Sequence, residues 1–186
     1  MNILFLDTDP RMCAYAHCDE HVKSKIPIYT KLLSTAHHLL DPKGKIVPHL
    51  DEVDPDYKVI EELETIPFTA AWVKSNDANY MWMHDLWFWM HKEYWYRYDE
   101  MHEDWTNLYN KLSHTPENIV KGELTAPPPF IPEEFMVHGL EDEFQNTIES
   151  YRSYYMDWVT ENNAKWGGLV ENMRTPPSWI LENANV

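Results

Sequence analysis

The sequence predicts a mainly α fold: a single-domain helical bundle with a short extended segment at its N-terminus and a long Pro-rich connection. Three observations predict it. Apolar residues recur at helical rather than alternating spacing through much of the chain. Helix start and stop signals such as Asp9-Pro10, Asp41-Pro42-Lys43-Gly44 and Asn76-Asp77 punctuate those stretches. Nine Trp, eleven Tyr and six Phe supply core material, each ring burying about 150–250 Å². That offsets a Leu, Ile, Val and Phe content barely above the roughly 20 % below which chains tend to stay disordered. A length of 186 residues suits one domain spanning 1–186.

The elements follow in order. Asn2 to Leu6 is a short apolar run, either a strand or a buried extended segment. Asp9 before Pro10 places an N-cap ahead of a proline at the first helical position, so a helix is expected over Pro10 to Lys25. Pro27 breaks or restarts it. A second helix over Ile28 to Leu40 carries Leu32, Leu33, Ala36, Leu39 and Leu40 at helical spacing. Lys45 to Pro55 reads as loop, Asp56 to Glu64 and Pro67 to Ser75 as short helices, and Asp77 to His102 as the strongest helix. Glu103 to Leu112 is helical. Thr115 to Glu133, with five prolines, is an irregular connection with polyproline II character. A last helix covers Asp142 to Trp166. The tail from Gly167 is expected to be non-helical, ending in an apolar anchor over Ser178 to Leu181.

Charge narrows the function classes. Lys and Arg number 15 against 31 Asp and Glu, a formal charge of −16. Duplex affinity rests on Lys and Arg neutralising phosphates, so tight non-specific duplex DNA binding is not expected. No run of about 18 apolar residues offers a membrane span. No basic segment followed by an apolar one opens the chain. Cys13 and Cys18, five apart on an expected helix, face different sides and are not expected to bridge. A reducing, cytoplasmic setting fits both observations.

Three constellations carry candidate chemistry. The first is Asp7 and Asp9 followed by His17, Asp19 and His21. His17 and His21, four apart, share a helix face at the spacing that chelates one metal. With Asp9 as third ligand the set suits one divalent ion, Zn²⁺ or Fe²⁺. Without metal, either imidazole serves as a general base oriented by a carboxylate. The plainer alternative has Asp9 capping its helix and both His on a solvated or partly buried face. Second, His84, His91 and His102 return to nearly one angle on the long expected helix, too far apart at about 1.5 Å per residue to share a metal. His37 or His38 from a partner helix is the candidate missing ligand, and a polar-aromatic core helix is the competing reading. Third, Arg97 and Tyr98, with Arg152 and Tyr155, interleave cation and ring as a surface for a nucleobase or phosphate. Core struts are the alternative.

The pattern Met1-Asn2-Ile3, Leu6-Asp7-x-Asp9-Pro10, Ala16-His17-Cys18-Asp19-x-His21-Val22-Lys23 and Leu32-Leu33-Ser34-Thr35-Ala36-His37 resembles a little-characterised family of small proteins from tailed phages, notably phages of marine bacteria. The resemblance extends through Asn79-Tyr80-x-Trp82, Glu93-Tyr94-x-Tyr96-Arg97-Tyr98 with His102, Ser150-Tyr151-Arg152-x-Tyr154-Tyr155 and Pro177-x-Trp179. The chain departs from the family in carrying Glu64-Thr65-Ile66-Pro67 in place of Asn-His-Pro, and Pro27 where the family helix is continuous. A pyrimidine-dimer DNA glycosylase label attaches to relatives. That chemistry needs a free amine nucleophile, whereas Asn2 is bulky enough to retain Met1, and the charge is wrong for a duplex binder.

Two functions remain. One is a phage-type accessory enzyme or small-ligand protein acting on a nucleotide, nucleobase or nucleic-acid component. It would use Asp7, Asp9, His17, Asp19 and His21, with Arg97, Tyr98, Arg152 and Tyr155 binding substrate. The other is an acidic, non-enzymatic protein that binds a host protein, for instance by mimicking DNA charge. Convergence of the acids and imidazoles in a pocket would favour the first. Carboxylates in two long exposed stripes with scattered His would favour the second.

Overall fold

The computed structural model describes residues 3–41, 68–169 and 174–183. Among these the protein is helical, without a strand: α1 Pro10–Ala16, α2 Asp19–Leu40, α3 Phe68–Val73, α4 Asp77–Tyr98, α5 Glu103–Leu112, a 3-10 turn Glu133–Phe135, α6 Glu143–Glu161 and α7 Ser178–Asn183. Residues expected as loop over Lys45 to Pro55 and as helix over Asp56 to Glu64 lie outside the described residues.

Helix α4 is the axis. Helices α1, α2 and α3 all pack on it. It buries Tyr80, Trp82, Met83, Leu86, Trp87 and Met90, and also the polar Asn79, His84, His91, Glu93 and Arg97. A helix that buries both kinds of residue on several sides lacks a single apolar stripe, which is why composition more than periodicity marks it as core. The N-terminal run resolves as an extended segment, not a strand, with Ile3, Leu4, Phe5 and Leu6 at most 2 % exposed. Phe5 meets Trp82 at 4.5 Å and Phe144 at 6.2 Å. Burying each such side chain contributes roughly 1.5–3 kcal/mol. The buried apolar cluster reaches from Ile3 to Ile180.

Several boundaries follow local chemistry. Asp9 caps α1 by accepting from Arg11 N–H at 2.8 Å. Asn76 caps α4 through Asn79 N–H at 2.9 Å. Helix α5 begins and ends where the sequence places it. The Pro-rich connection is fastened by Asn79, whose amide oxygen accepts from Thr125 N–H at 2.9 Å and whose amide nitrogen donates to Thr125 Oγ1 at 2.9 Å.

Four expectations are corrected. The first break falls at His17-Cys18, not at Pro27, which α2 carries in its interior. An interior proline costs about 3 kcal/mol, offset here by Val22, Ile26, Tyr29 and Leu33, all fully buried on either side of it. The break at Cys18 is supported from afar: Cys18 N–H donates to Tyr155 Oη at 2.7 Å and Asp19 N–H to Lys165 O at 2.7 Å. These satisfy donors that a helix start leaves orphaned. Second, α4 ends at Tyr98 because Asp99 turns left-handed at φ 53°, so His102 caps α5 and does not end α4. Third, α6 stops at Glu161, ahead of Asn163 at φ 48°. Fourth, the anchor expected to be non-helical is the short helix α7, whose first turn closes on Pro177 O.

Candidate functional site

Six of the nine residues singled out for chemistry meet at the corner between α1 and α2: His17, Asp19, His21, Arg97, Tyr98 and Tyr155. His17 ends α1 and is fully buried. Its Nδ1 lies 2.8 Å from Cys13 O. A carbonyl only accepts, so Nδ1 carries the proton. Nε2 therefore accepts the hydroxyl of Tyr29 at 3.0 Å, and Tyr29 Oη in turn accepts Leu4 N–H at 3.4 Å. Burial holds the His17 imidazole well below its ordinary pKa of 6.5. It is neutral, and both nitrogens are engaged.

His21 sits one turn into α2, stacked on Trp158 with ring centroids 4.0 Å apart. Tyr155 Oη accepts Cys18 N–H and faces His21 Nδ1 at 3.2 Å, so its own proton points to Nδ1. Burial, with a smaller push from the Lys25 ammonium, brings His21 down to about 3. The His17 and His21 rings stand 6.4 Å apart, nearly perpendicular, with each facing lone pair taken by a tyrosine.

Beneath the corner runs an ionic network. Arg97 is fully buried and gives Nη1 to His17 O at 2.9 Å and to Asp19 Oδ1 at 3.0 Å. Its Nε and Nη2 reach Glu93 Oε2 at 3.0 and 2.8 Å. Arg174 from the tail also grips Glu93, through Nε at 3.0 Å and Nη2 at 2.6 Å, while its guanidinium lies 4.4 Å from the Tyr15 ring and 4.2 Å from that of Tyr96. The second oxygen of Asp19 accepts Gly168 N–H at 2.9 Å. Gly168 has φ +65°, and a Cβ there would fall 2.6 Å from Arg97 O. Tyr98 donates to Asp19 O at 3.2 Å.

Asp7, Asp9 and Arg152 stand apart from this corner. Asp7 accepts Asp9 N–H at 3.0 Å and faces Arg152 Nη2 at 3.5 Å. Arg152 gives Nε to Leu6 O at 3.0 Å and Nη1 to Glu149 at 3.1 Å. Asp9 is spent on its cap. The Asp9, His17 and His21 metal set is therefore not assembled, and among the described residues no three His, Cys, Asp or Glu side chains are grouped to hold a metal. Arg97 faces inward, not toward a ligand. Both cysteines are unbridged.

The distance argument for the long-helix histidines also needs correction. Because α4 ends early and the chain turns back, His91 and His102 lie 5.5 Å apart by ring centroid. His102 Nδ1 accepts Asp104 N–H at 3.3 Å. His37, the candidate extra ligand, instead bonds Tyr80 Oη at 2.8 Å. His91 is 5 % exposed and neither of its ring nitrogens has a hydrogen-bond partner. The residues that sequence reasoning missed are Glu93, Arg174, Tyr29 and Trp158. The spacing of Glu93 and Arg97 at i,i+4 is a readable signal; the others come from segments remote in the chain.

No described helix is long and apolar enough to cross a membrane. No family model matches the chain, and no curated protein or solved structure matches it.

Proposed function

We propose that this is an acidic, non-enzymatic recognition protein that binds a cationic partner protein, presenting carboxylates where that partner otherwise meets nucleic-acid phosphates. The observation that carries this reading is the partition of charge. Among the described residues seventeen Asp and Glu stand exposed, against Arg11, Lys23, Lys121 and Lys165 as the exposed cations. Arg97 and Arg174 are turned to the buried Glu93, and Arg152 is paired with Asp7 and Glu149. A surface of one sign steers an oppositely charged partner and raises its on-rate. The resemblance to tailed-phage proteins makes a bacterial host protein, met in the cytoplasm, the natural candidate. The nucleotide-directed reading has less support, because the imidazoles and guanidinium it needs are engaged within the scaffold.

The experiment uses the full chain, immobilised, to capture partners from bacterial extract, followed by purification of the retained protein and rebinding. A basic, nucleic-acid-binding protein should be retained. It should be released as salt approaches about 1 M, where the Debye length falls to about 3 Å. The triple substitution Glu133→Gln, Glu134→Gln and Glu149→Gln should weaken rebinding. A retained partner without basic character, or one held undiminished at that salt, would overturn the reading.

A further inference from the structure

Between the C-terminal half of α4 and the start of α5 lies a cavity of about 80 Å³ lined by His91, Lys92, Trp95, Met101, His102 and Trp105. At roughly 10–15 Å³ per water-sized group, it has room for a small organic molecule. Its lining inverts the character of the chain. In a protein with 31 acidic residues and a net charge of −16, this wall holds an ammonium and two imidazoles and no carboxylate.

One further observation points to a ligand. Lys92 has its Nζ among three rings, 5.2 Å from Phe88, 5.6 Å from Trp95 and 5.1 Å from Trp105, and among the described residues no carboxylate pairs with it. Aromatic faces hold an ammonium in place while leaving its N–H donors available. Trp95 is 53 % exposed beside the opening, and Met101 is 59 % exposed, so the apolar lip is open to an incoming flat molecule.

We propose that this cavity binds a small planar carboxylate, its ring or conjugated body against the tryptophans and its carboxylate on Lys92. The acid oxygens would give Lys92 the counter-charge it lacks. A cation is the wrong occupant. Two imidazoles 5.5 Å apart are spaced for a shared ion, but the adjacent ammonium repels one and the His102 Nδ1 lone pair already accepts Asp104 N–H. The site does not depend on the partner reading above.

The test titrates the full chain with benzoate, following tryptophan fluorescence and calorimetry, with benzamide as a neutral isostere and cyclohexanecarboxylate as a non-planar acid. Benzoate should bind saturably. Benzamide should bind at least about tenfold more weakly, the order expected from losing a charge-assisted hydrogen bond. Lys92→Met keeps the stem and should lose a similar factor with the fold intact by circular dichroism. Trp95→Ala, at an exposed position, should weaken benzoate and cyclohexanecarboxylate unequally, benzoate more. No saturable binding of benzoate overturns the site. Equal binding of benzamide, or an unchanged constant in Lys92→Met, overturns its assignment to an anion. Equal binding of the two acids overturns the planar requirement.

Discussion

Replacing Glu93 by Gln removes one charge from the most buried ionic contact among the described residues. Glu93 is 1 % exposed and Arg97 0 % by side chain. The carboxylate accepts four N–H groups, two from Arg97 and two from Arg174, at 2.6–3.0 Å. Gln keeps the volume but turns one acceptor into a donor aimed at guanidinium. With the amide oxygen in the Oε2 place Arg97 keeps its two hydrogen bonds but loses the carboxylate charge that faces it, and Arg174 Nη2 loses its acceptor. Breaking a buried pair by removing one partner costs about 3–5 kcal/mol. Domains are stable by about 5–15 kcal/mol in total, so roughly a fifth or more is at stake. At about 2–4 °C per kcal/mol for a chain this size, Tm should fall by roughly 6–20 °C. Near- and far-ultraviolet circular dichroism melts would read it. Arg174→Ala, at a side chain 27 % exposed, should cost much less. A fall of under about 2 °C in Glu93→Gln would refute the claim that this network organises the corner.

Other outcomes follow from the same contacts. His17, His21 and His91 are all held neutral by burial, His21 and His91 at about 3. The unfolded chain takes up those protons near 6.5 while the folded one does not, so stability is complete above about pH 6.5 and falls with acidification, by roughly 1.4 kcal/mol per pH unit per imidazole. Urea midpoints from pH 7.5 to 5 check this, and a flat profile would contradict it. Tyr29→Phe strands His17 Nε2 and Leu4 N–H and should cost about 1–3 kcal/mol in urea unfolding. Gly168→Ala places a Cβ 2.6 Å from Arg97 O at φ +65° and should destabilise by about 1–3 kcal/mol; an unchanged midpoint would show that the tail is not seated there.

Much of the fold is legible because local rules decide it. Asp9-Pro10 and Asn76 start helices as capping chemistry dictates, and Glu103 to Leu112 stands out as an amphipathic stretch. What stays hidden is set by distant partners. The break at Cys18 depends on Tyr155 and Lys165, which the chain brings back more than 130 residues later. Pro27 sits inside α2 because tertiary burial outweighs its local penalty. The same holds for the site. His17 and His21 do end near one another, but across the break at Cys18 and not on one helix face, and whether an imidazole is free is decided by Tyr29, Cys13 and Tyr155. Spacing also separates His91 from His102, and a single left-handed residue, Asp99, undoes that by turning the chain back.

The most direct test of the proposed function is competition. A labelled duplex bound to the purified basic partner is titrated with the full chain at low and at high salt, and released duplex is read by fluorescence anisotropy. The account predicts displacement at low salt that weakens steeply as salt rises and is blunted by neutralising Glu133, Glu134 and Glu149. Failure to displace duplex at low salt, or displacement indifferent to salt and to those substitutions, would contradict it.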